Sequence, residues 1–78
     1  MRPYRPIPCE VYGRLELAIM HGERLRLVWC GRGGGLRVER WRPLDLRTRA
    51  HAEYLIGVGP GGVRRVLRLD RLRAFRTA

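Results

Sequence analysis

Residues 9–30, CEVYGRLELAIMHGERLRLVWC, change period at Gly22. Before the glycine, Val11, Leu15, Ala18 and Ile19 fall at i, i+4, i+7 and i+8, which makes one apolar stripe on a helix of 3.6 residues per turn. After it, Leu25, Leu27 and Trp29 alternate with Arg24, Arg26 and Val28, the spacing of a half-buried strand. Pro8 and Glu10 mark the helix start, and Gly22 is placed to stop it. Gly13 sits inside the helix and weakens it by about 1 kcal/mol relative to alanine. On the helical wheel Tyr12, Gly13, Glu16 and Met20 share a face away from the apolar stripe, and Leu17 also lies outside it.

Working outward, three prolines (Pro3, Pro6 and Pro8) make residues 1–8 an extended arm, with Tyr4 and Ile7 positioned to tie it down. Downstream, Gly31–Gly35 is a turn into a second strand over Leu36–Arg42, with Leu36 and Val38 inward and Arg37 and Glu39 outward. Pro43 ends that strand or forces a bulge, and the polar residues 44–52 read as a loop. Glu53–Val58 forms a third strand, Gly59–Gly62 a hairpin turn, Val63–Asp70 a fourth strand and Leu72–Phe75 a short fifth. The expected architecture is mostly β with one N-terminal helix: a small five-stranded antiparallel barrel, Sm-like or SH3-like. It divides into an arm over 1–8, a helix over 9–22, a barrel over 23–75 and a tail over 76–78, all in one domain over 1–78.

A chain of 78 residues has no core to spare for a deep enzyme cleft. Serine is absent, Thr48 and Thr77 fall in loop and tail, and neither cysteine has a His–acid pair nearby in sequence, so no catalytic activity is expected. Cys9 and Cys30 read as buried free thiols, and His21 and His51 lack partners at metal-ligand spacing, so neither metal nor cofactor is expected. Gly31–Gly35 lacks the Lys-Ser/Thr of a phosphate loop and precedes a strand; the alternative to a plain turn is an RNA contact through Arg32. No apolar run has membrane-spanning length and no secretory signal is visible, which makes the cytoplasm the expected compartment and no membrane the expectation for partners.

Charge limits the partners. Seventeen basic residues, all arginine, against seven acidic give a net +10, and the chain has no Lys, Asn, Gln or Ser. Those absences fit a GC-rich coding bias, which explains arginine for lysine but not the sign of the charge. A small domain this basic attracts polyanions, so RNA or DNA binding is one expected function, through the strand arginines Arg24, Arg26, Arg37, Arg64 and Arg68. Of the aromatics that could stack on bases, Trp29 and Phe75 fit the core better, and Trp41 fits either role.

A second expectation comes from spelling. Tyr4-x-Pro6-Ile7-x-Cys9-x-x-Tyr12 and Leu15-Glu16-x-Ala18 resemble the opening of the Rof (YaeO) family of Rho-binding antiterminators. Asp45-Leu46, Arg49 and Glu53-Tyr54-Leu55 match its middle, and Leu67-Arg68-Leu69-Asp70-Arg71-Leu72 followed by Phe75 matches its end. The resemblance covers residues 4 to 75 in order. It implies an Sm-like barrel that acts as a monomer, binds the ring-shaped transcription terminator Rho at its primary RNA-binding site, and reduces termination. It also implies that Glu10, Tyr12 and Glu16 on the helix, with Arg49 in the second contact region, meet Rho. The chain departs from the family in having Gly13 where aspartate is usual, and in being basic where characterised members are acidic overall.

Overall fold

The computed structural model describes residues 3–78; the first two residues of the expected arm lie outside them. One helix, α1 (Cys9–Met20), precedes five strands: β1 (Leu25–Cys30), β2 (Leu36–Arg49), β3 (Ala52–Val58), β4 (Arg64–Arg68) and β5 (Leu72–Thr77). The strands form one antiparallel sheet in the order β4-β3-β2-β1-β5. The fold is therefore mostly β with one helix, as the periodicities imply. The barrel is not closed by hydrogen bonds: β4 and β5 are the two edges, joined by a short 3-10 turn over Leu69–Arg71.

Helix α1 ends where Gly22 predicts. Gly22 has φ +64°, its N–H donates to the Ile19 carbonyl, and the Glu23 N–H donates to that of Ala18. This left-handed cap satisfies carbonyls the helix would otherwise leave unpaired, in a conformation that favours glycine. Leu15 and Ala18 are buried and pack with Leu25, Leu27, Trp41, Leu55, Leu67 and Leu69 into a single core. The helix stripe and the inward residues of β1 thus meet as the two periods require. The arm is tied down as expected: the Tyr4 hydroxyl donates to Glu53, and Ile7 packs against the core.

The phase of β2 is the reverse of the expectation. Leu36 and Val38 point outward, 69% and 51% exposed, while Trp41 is 2% exposed. Trp41 pairs with Leu25 and Glu39 with Leu27, so Trp41 and Glu39 share the core side. The reason lies in the indole, the largest side chain of the segment, which packs against Trp29 and the core leucines. Its N–H also needs a partner, and Glu39 accepts it at 2.9 Å only because both side chains share a face. Arg65 then pairs with Glu39 at 3.5 Å. Trp29 packs edge-on against Trp41, with ring centroids 5.5 Å apart.

Residues 44–52 are not a loop. Pro43 is absorbed in a bulge between Pro43 and Asp45, after which β2 continues to Arg49. Opposite that bulge, Gly57 lets the backbones close: a Cβ there would lie 2.8 Å from the Arg42 carbonyl oxygen. The β2–β3 hairpin turns on Ala50 and His51 alone, both with positive φ (50° and 63°). Two left-handed residues match the twist of a tight hairpin, and alanine and histidine adopt them at a cost. At the far end β5 runs to Thr77, so most of the expected tail is strand, held beside Leu25 and Arg26.

Candidate functional site

Tyr12 and Glu16, one helical turn apart, stand together on α1 beside the β2–β3 hairpin. Glu16 is exposed, and Tyr12 is half-buried with its ring against the core. Burial raises the Tyr12 phenol above its ordinary ionisation range, and the negative charges of Glu53, Glu16 and Asp45 raise it further. Three of the seven carboxylates of a chain with net charge +10 therefore act on one half-buried tyrosine. They come from three elements: Glu16 from α1, Asp45 from β2 and Glu53 from β3.

Two of the three carboxylates are held in place by partners. Glu53, paired with Thr48 across the hairpin, accepts a 2.7 Å hydrogen bond from the Tyr4 hydroxyl. Burial, that hydrogen bond and the charge of Glu53 lift the Tyr4 phenol well above its ordinary range. Asp45 accepts the Leu46 N–H at 2.8 Å and pairs with Arg47 at 3.0 Å, and the Arg47 bond and the Leu46 N–H hold its carboxyl below its usual value. Tyr4 also lies over Arg68, whose guanidinium carbon is 5.4 Å from the ring centroid. The result is an acidic, tyrosine-bearing surface, built where the arm, the helix and the hairpin meet.

The structure brings together some of the sequence-selected residues and separates others. Tyr12 and Glu16 are adjacent. Glu10, exposed in the first turn, lies about 160° around the helix axis from Tyr12 at 3.6 residues per turn. Arg49 is exposed at the hairpin tip, paired with Ala52, one rung beyond the Thr48–Glu53 pair. Glu53 and Asp45, whose charges act on Tyr12, carry no local signal of their own in the sequence; both stand in the block that carries the family resemblance.

The five arginines proposed for nucleic acid do not form one surface. Arg26 and Arg64 point away from the core, and Arg24, just before β1, is exposed. Arg37 pairs with Trp29 and so belongs to the opposite face. Arg68 is only 14% exposed in its side chain, against Asp70 at 3.4 Å. Trp41, left open by the sequence, belongs to the core. Both cysteines are free, but Cys9 is exposed and Cys30 half-buried rather than buried. Among the described residues no three His, Cys, Asp or Glu side chains gather as a metal site would need, and no helix is long and apolar enough to cross a membrane.

The fold and this surface define a small one-helix β module that presents carboxylates beside a half-buried tyrosine. The chain belongs to the Rof family. It is 38% identical over 72 residues to Protein rof of Escherichia coli strain K12 and, equally, to that of Shigella flexneri, covering 92% of this chain and 80% of each relative. No family model matches. Among solved structures, proteasome accessory factor B/C of Arthrobacter aurescens superposes with a TM-score of 0.82 over 96% of this chain at 20% identity. This chain spans 12% of that protein, and the likeness shows the fold alone.

Proposed function

We propose that this protein is a non-catalytic regulator that binds the transcription terminator Rho at its primary RNA-binding site and so reduces termination. The single observation that supports this most is that the negative charges of Glu53, Glu16 and Asp45 all act on Tyr12 in an otherwise basic molecule. A groove built for RNA offers cations for phosphates and flat surfaces for bases. Carboxylates set around a phenol present both features at once, on a rigid support. Membership of the Rof family points to the same partner.

The net charge of +10 opposes approach to a basic surface, but screening confines it to roughly 8 Å at physiological salt. Within that distance the local acidic patch dominates contact, while the far arginines act mainly on the encounter rate. Tyr12 supplies a half-buried anchor of the kind that carries interface energy.

The test is recovery of Rho on the immobilised protein from lysate of the native cell, with and without RNase. Rho retained after RNase, with weakened retention by Tyr12→Ala, is the expected result. Purified cognate Rho that fails to bind at physiological salt overturns the proposal.

A further inference from the structure

The strand register places a row of arginines that the sequence alone does not reveal. Arg26 on β1 lies directly opposite Arg40 on β2 and directly opposite Arg76 on β5. All three are exposed, and their strand parity puts them on the face of the sheet away from Leu25, Leu27 and the helix. None of the three has an ion pair among the described residues. Cross-strand neighbours have Cβ atoms about 5 Å apart, and like charges set directly opposite one another are destabilising. Three in a row with no carboxylate between them is an arrangement that a multivalent anion would relieve.

The same face carries a second basic zone. Val28 and Cys30 follow Arg26 along β1 on that side, and Cys30 lines a depression of ≈ 750 Å³ shared with Arg5, Arg32, Arg71 and Arg73 and with one carboxylate, Asp70, which pairs with Arg68 at 3.4 Å. The strand rise puts the two zones about 13 Å apart, with Ala74, Val28 and Val38 between them. A nucleic acid strand brings one charge per nucleotide and spans both zones continuously. The intervening row is small and aliphatic; Leu36, 69% exposed opposite Cys30, is the one large apolar side chain at its end, too little apolar surface to set against the arginines on either side. Guanidinium forks also match phosphate oxygens two at a time.

We propose that the outer face of β5, β1 and β2 binds the phosphodiester backbone of nucleic acid independently of sequence, with Arg26, Arg40 and Arg76 as the principal contacts. The inference does not depend on Rho binding, since it uses the opposite side of the sheet from the α1 packing face. Aromatic side chains are absent from the Arg76–Arg26–Arg40 and Ala74–Val28–Val38 rows, so contact is through phosphates and both single strands and duplexes bind.

Fluorescence anisotropy of the full chain with a labelled oligouridylate and a short RNA duplex tests this across a salt series. The triple variant R26Q/R40Q/R76Q is compared with R14Q/R37Q/R65Q, which removes the same charge elsewhere, after circular dichroism establishes that both fold. The expected result is roughly tenfold weaker binding by the first variant only, with the salt slope for the single strand shallower by about 2, from about 0.7 for each of three phosphates. Absence of binding, equal losses in the two variants, or tighter binding to polyglutamate or phosphatidylglycerol vesicles than to RNA overturns the proposal.

Discussion

The Tyr4 hydroxyl donates a 2.7 Å hydrogen bond to Oε1 of Glu53, across 49 residues of chain. That bond ties the arm to β3 and fixes a carboxylate whose charge reaches Tyr12. The arm is thus part of the site's construction. Removing its anchor loosens Glu53 without touching the helix.

Tyr4→Phe is therefore expected to lower stability at neutral pH by about 1 kcal/mol, the usual net value of such a bond. The pH dependence follows from the raised Tyr4 phenol. The native state keeps its proton at a pH where the unfolded chain has lost it, so this contribution is complete below about pH 10 and fades as pH rises towards the native value. Denaturation curves from neutral to strongly alkaline pH should show a steeper loss for the wild type than for Tyr4→Phe. Parallel loss in both would remove the link.

Gly13 has nothing within 4 Å of the place a Cβ would occupy. Gly13→Ala is expected to stabilise the protein by about 1 kcal/mol through helix propensity alone, with Rho affinity unchanged. Gly13→Asp, which adds a negative charge next to Tyr12, is expected to slow dissociation from Rho. Thermal melts and surface plasmon resonance separate the two effects.

The hairpin turn offers a second stability test. Replacing Ala50-His51 by Asn-Gly relieves two positive-φ residues and is expected to raise stability by about 1 kcal/mol in urea denaturation. A decrease would mean that His51 makes an interaction the backbone geometry does not explain.

Salt should act on the two proposed surfaces in opposite directions. Association with Rho is expected to quicken as low salt is raised, because screening removes the long-range repulsion of a chain at +10. Nucleic-acid affinity is expected to fall over the same range. Stopped-flow association rates and anisotropy read the two.

Much of the fold was legible because two periods did the sorting. Leu15 and Ala18 announced the buried helix face, and Leu25 and Leu27 the inner side of β1. Local pattern failed where a distant choice prevailed. Leu36 and Val38 resemble core residues, yet the single decision to bury Trp41 with its Glu39 partner set the phase of β2. The Ala50-His51 turn carries no Asn-Gly signal, so a continuous hairpin looked like a polar loop. Half of the site was legible in the same sense: Tyr12 and Glu16 are one turn apart on any helix. Glu53 and Asp45 join them only through tertiary contact, and the Arg76–Arg26–Arg40 row exists only in the strand register.

The sharpest test of the acidic surface compares charge reversals on either side of one helix. Binding of purified cognate Rho is measured by calorimetry for Glu16→Arg and for Glu10→Arg, both exposed positions on α1. Glu16→Arg puts a cation beside Tyr12 and is expected to abolish binding, whereas Glu10→Arg, about 160° from Tyr12 around the axis, is expected to leave most of it. Equal retention by both variants, or loss only with Glu10→Arg, would contradict the assignment of Tyr12 and its carboxylates as the contact surface.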